Sequence, residues 1–123
     1  MISKLFFLIL LNRINGFHWT SLERRDFISK FKLNGYVESH HIIPRQWRYH
    51  ENLPKNFDVD ASYNLMFMPT YCGALVGNST RYIHSGGHPA YNKYVQNRLN
   101  NGEDYRLLIK NLKQEIRAGI CPW

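Results

Sequence analysis

The chain has 123 residues, 44% hydrophobic and 15% aromatic, with 16 Lys and Arg against 9 Asp and Glu for a formal net charge of +7. That length and apolar content exclude a disordered tail and suit one domain with its own core, needing neither a disulfide framework nor a structural metal to fold. The basic excess points to a polyanionic partner, of which nucleic acid is the commonest.

Residues 1–16 read as an apolar segment apart from the domain at 17–123. Lys4 precedes an apolar run at 5–11. That run is far shorter than the roughly 20 residues that cross a bilayer, so no stable membrane insertion is expected. It fits the short end of a secretory core, with Ile14 and Gly16 before the cleavage point, or an element packed on the domain. Arg13 in the cleavage region speaks against the leader, which puts an intracellular location ahead of a secreted one.

The stretch "TSLERRDFISKFKLNG" reads as a helix. Thr20 and Glu23 match a capping box, Leu22, Phe27, Ile28 and Phe31 form its apolar face, and Gly35 lies just past its end. "YVESHHIIP" reads as a strand stopped by Pro44. The polar "RQWRYHENLPKNFDVDAS" reads as a loop with one helical turn, in which Asp58 and Asp60 cap or turn the chain. "NLMFMP", starting at Asn64, is a second short strand, antiparallel to the first. A short helix is expected near residues 81–84. "HPAYNKYVQNRLNNG" is a helix with Pro89 in its first turn, where proline is favoured.

The clearest helix is "EDYRLLIKNLKQEIRAG". Its apolar face is Tyr105, Leu108, Ile109, Leu112 and Ile116, and Gly119 stops it. Arg106, Lys110, Lys113 and Arg117 recur at helical spacing as a basic stripe, either a solvated face or a rest for a phosphate backbone. Cys72 and Cys121 make no CxxC pair and leave the redox compartment unread.

Four of the six histidines fall in two clusters, His40 with His41 and His84 with His88, and Asn64 lies between them. Neighbours on a strand point to opposite faces, so His40 and His41 have different surroundings. Histidines four apart share a helical face, but Gly86, Gly87 and Pro89 interrupt that stretch. Imidazole is the commonest protein ligand for transition metals.

"HHIIP", "FDVDASYNLMFMP" and "HSGGHPAYNKYV", in this order, resemble the HNH endonucleases of the His-Me finger superfamily, and among them the AHH nucleases. The resemblance covers residues 38–99; Ser39 stands where the motif has Ala. It implies a small α+β fold: a ββα-metal core, built of a two-stranded antiparallel hairpin plus a helix, with additional flanking helices. It implies an endonuclease that hydrolyses phosphodiester bonds with one divalent ion, Mg, Mn, Zn or Ni. Nucleic acid is then the substrate, DNA ahead of RNA. By resemblance His41 is the general base and Asn64 ties the inter-strand loop and helps orient it. His40 is a metal ligand, with His84 as its partner and His88 as a third ligand or a phosphate contact.

An imidazole base suits neutral pH because its unperturbed pKa is about 6.5. Arg45 and Arg81 are candidates to clamp a phosphate, beside Lys110, Lys113 and Arg117. Trp47, Tyr49 and Tyr91 either stack on bases or pack in the core. Two other readings compete. One is a non-catalytic nucleic-acid-binding domain around a structural zinc, which the absence of clustered cysteines disfavours. The other is a nuclease toxin domain of a secreted system, with an immunity protein as partner.

Overall fold

The elements appear in the expected order in the computed structural model, which describes residues 21–70, 82–84 and 87–123. Thr20, the apolar run at 5–11, Cys72 and Arg81 lie outside the described residues. Within them, α1 (Ser21–Lys30), β1 (Val37–His41), β2 (Leu65–Pro69), α2 (Pro89–Asn100) and α3 (Tyr105–Ala118) form an α+β unit. Two 3-10 turns, Arg45–Trp47 and Ser62–Asn64, shape the loop between the strands, where one turn was expected.

Helix α1 carries Glu23 in its first turn and Lys30 in its last, matching the helix dipole at both ends. Its stop differs from the expectation at Gly35. Lys32 takes the left-handed conformation (φ 54). Leu33 N–H reaches back to the Ile28 carbonyl and Lys32 N–H to that of Ser29, a Schellman closure. Gly35 (φ 81) serves the next turn instead, in which Tyr36 N–H bonds to the Leu33 carbonyl. Leu22 is 55% exposed and does not join the apolar face. Phe27, Ile28 and Phe31 do, against Leu33, Val37 and Phe67.

The strands pair antiparallel, with Val37 opposite Pro69, Ser39 opposite Phe67, His40 opposite Met66 and His41 opposite Leu65. All of β2 is buried because both its faces are covered. Phe67 points to the α1 side. Met66 and Met68 point into the main core, with Ile42, Ile43, Tyr91, Val95, Leu99, Leu108, Leu112 and Ile116. The alternation of the pleat therefore divides two cores.

Pro89 starts α2, and Tyr91, Val95 and Leu99 fall one turn apart on its buried face. On α3, Asp104 caps by accepting from Leu107 N–H, and Gly119 (φ 68) closes the helix. Arg98 of α2 bonds Glu103 and Glu115, which fastens the two helices together. Residues 82–84 are not helical, contrary to the short helix expected there. The basic stripe of α3 is also not one solvated face. Lys113 is buried and its Nζ donates to the Tyr63 carbonyl, because the turn before β2 lies against α3.

Candidate metal centre and its family

Pro44 ends the strand and leaves the backbone of Ile42 and Ile43 without ladder partners inside the core. Asn64 supplies them. Its Oδ1 accepts from Ile43 N–H at 2.8 Å. Its Nδ2 donates to the carbonyls of Ile43 and Val59 at 3.1 and 2.8 Å. Ile42 N–H bonds to the Asn64 carbonyl, and Tyr91 Oη donates to the Ile42 carbonyl. One amide thus pins the exit of β1 to the entrance of β2, and one phenol pins it to α2.

This clamp fixes two histidines on opposite faces. His40, level with Met66, points into the main core and is 1% exposed. His84 and His88 meet it there. The three rings lie with centroids 4.9 to 5.5 Å apart, and their candidate ligand nitrogens all lie within 4.8 Å of one another. A shared tetrahedral ion needs nitrogens about 3.3 Å apart, which follows from bonds of roughly 2.0–2.1 Å. Small side-chain rotations close that difference.

The donor set fits a cation. Both ring nitrogens of His40 are buried, and neither has a hydrogen-bond partner among the described residues. Such an orphan costs on the order of 1–3 kcal/mol, and a metal bond would satisfy one of them. His84 Nδ1 lies 2.7 Å from Glu38 Oε2, and His88 Nδ1 lies 2.8 Å from Asn92 Oδ1. An acceptor on Nδ1 fixes the tautomer and leaves each Nε2 lone pair to ligate. Glu38 reaches His84 because it shares the His40 face of the strand. Burial, then the neighbours His88, His84 and His41, holds the His40 pKa well below the ordinary imidazole value, so the ring is neutral and ready to coordinate. Burial lowers His88 as well, partly offset by Asn92. Trp123 walls the cluster, with its indole 4.9 to 5.0 Å from the His88 and His40 rings and its Nε1–H on the Ile83 carbonyl.

The other predicted residues scatter. His41 Nε2 meets Asp60 Oδ1 at 2.8 Å rather than Asn64, which acts on His41 only through the backbone it pins. Arg45 Nη2 lies 3.6 Å from Asp60 Oδ2 and is 64% exposed. Arg106 and Lys110 are exposed, whereas Arg117 is half-buried. Trp47 packs on the core and donates to the Asn92 carbonyl, and Tyr91 is fully buried. Tyr49 is 84% exposed, with the Arg48 guanidinium over its ring.

Residues 26–118 match a family described as AHH, a nuclease family of the HNH/ENDO VII superfamily with conserved AHH. The chain belongs to the AHH nucleases. No curated protein and no solved structure matches it. An AHH nuclease acts on nucleic acid, and in this one Ser39, His40 and His41 occupy the strand that opens the histidine cluster. No described helix of this AHH nuclease is long and apolar enough to cross a membrane.

Proposed function

We propose that this nuclease is an endonuclease dependent on one divalent metal, that it hydrolyses phosphodiester bonds of DNA in preference to RNA, and that His41 is its general base. The observation that carries the reading is the meeting of His40, His84 and His88, with both His40 nitrogens unpartnered among the described residues. These three would hold the ion. All-imidazole donation suits Zn, Ni or Mn, and Mg serves where phosphate oxygens and waters complete its shell. The bound ion supplies charge neutralisation at the phosphate and at the leaving oxygen.

The chain's own part is proton transfer and placement. His41 takes the proton of the attacking water; the new P–O bond forms as the ester bond breaks. Among the described residues no strand pairs with the outer edge of β1. A phosphate at that edge can meet groups from both faces of the strand, which is how adjacent side chains pointing apart serve one reaction. Arg45 at the strand exit, Lys110 and Arg117 on α3, and Arg81 are proposed to steer the backbone.

The test is cleavage of plasmid DNA and of RNA with Mg, Mn, Ni or Zn and with chelator. His41→Ala should lose about 10²–10⁴-fold in rate. Its metal affinity, by calorimetry, should stay within about twofold, whereas His40→Ala should lose the metal. Undiminished cleavage by His41→Ala would end the assignment. Metal binding without cleavage of either polymer would favour a structural zinc.

A further inference from the structure

The sequence assigns Asp60 to turning or capping the chain. In the fold that work belongs to Asp58, whose Oδ1 accepts Asp60 N–H at 3.0 Å and whose carbonyl accepts Ala61 N–H at 3.1 Å. The Asp60 carboxylate is left for something else, and its backbone is held on both sides. Before it, the Val59 carbonyl is bound to Asn64; after it, Ala61 N–H is bound to Asp58. From this fixed turn one oxygen meets His41 Nε2 at 2.8 Å and the other faces Arg45 Nη2 at 3.6 Å.

The contact has little to give to stability. Asp60 is 57% exposed and His41 27% exposed, and exposed ion pairs contribute little at ordinary salt. Yet 19 residues separate the partners, and a clamp shared with the metal-bearing strand delivers one to the other. A fixed carboxylate on an imidazole sets its ring orientation and tautomer, as an orienting partner does for any histidine base. Ionised carboxylate has no proton to give, so Nε2 carries the hydrogen and the lone pair sits on Nδ1. The hydrogen bond from His41, opposed by slight desolvation and aided by Arg45, lowers the Asp60 pKa and keeps it ionised.

We propose that Asp60 is a positioning residue, holding the His41 ring through Nε2–H so that Nδ1 is the atom that accepts the proton from water. This rests on the reading of His41 as the base. Arg45, facing the carboxylate's other oxygen at 3.6 Å, adds a favourable charge there besides any contact with phosphate.

The experiment pairs kinetics with a spectroscopic readout that needs no cleavage. Long-range ¹H–¹⁵N spectra of the metal-free and zinc-loaded full chain at pH 8 should show His41 as the Nε2–H tautomer. In Asp60→Asn it should become mixed, while His84 and His88 keep their shifts. In kinetics, Asp60→Asn should lose about 10–100-fold in kcat, with KM and metal affinity within about twofold. Placed in the His41→Ala chain, the same change should cost less than about twofold, because Asp60 acts through His41. An Nδ1–H tautomer in the wild type, a His41 ring unmoved by Asp60→Asn, or an equal loss in the His41→Ala background overturns the proposal. If the wild type cuts nothing, the function proposed above fails, and the tautomer spectra still decide whether Asp60 holds the ring.

Discussion

At Asn64 a single side chain satisfies three backbone groups of the buried interior. Its replacement by Leu keeps the volume and leaves Ile43 N–H and two carbonyls without partners, in a place water does not reach. Urea unfolding of Asn64→Leu should show a loss of about 2–4 kcal/mol. The His40 and His41 pair was legible from sequence because strand alternation is local: opposite surroundings follow from adjacency alone. Asp60 was not legible in the same way. Its partner lies across a loop, and an aspartate two residues after another has an adequate local use in turning the chain. Only the turn geometry shows that Asp58 already fills that use.

Helix α3 illustrates what spacing does and does not convey. Its apolar face was readable, since Leu108, Ile109, Leu112 and Ile116 are all buried as periodicity requires. The depth of Lys113 was not, because it is set by the Ser62–Asn64 turn laid against the helix. Burial, with Arg24 and Arg117 nearby, lowers the Lys113 pKa to about 7 from its usual 10.5. Between those values the unfolded chain holds a proton that the folded chain has shed, so this residue makes stability rise with pH across that window. Lys113→Met removes the rise. Denaturant midpoints of wild type and variant, taken at pH 6.5 and pH 10, should move relative to one another in favour of the wild type at the higher pH. The end of α1 departs from its spacing for a local reason. Gly35 has the conformational freedom to stop a helix, but the Leu33–Ile28 bond closes it earlier and places Lys32 in the left-handed region.

For the molecule as a whole, the histidine cluster joins β1, the segment before α2 and the start of α2, and Trp123 covers it. A cation that binds only the folded chain therefore stabilises the entire domain. With Zn or Ni at 100 times Kd, unfolding should cost about 2.7 kcal/mol more, and chelator should reverse it. Scanning calorimetry of the wild type and His88→Ala checks this; an equal shift in both would place the ion elsewhere. The fold class was readable because strand, loop, strand and helices each carried local signals. Spacing alone did not convey the convergence of the histidines, which the family resemblance implied: His84 and His88 lie in the described stretches 82–84 and 87–88, which are not helical and carry no periodicity. The pleat of β1 has one more consequence. A codon gained or lost between Val37 and His41 would leave the dipeptide spelled intact and exchange the two rings, sending the dry one to the α1 side and the wet one into the core. The paired letters alone therefore do not carry the arrangement; the parity of the strand does.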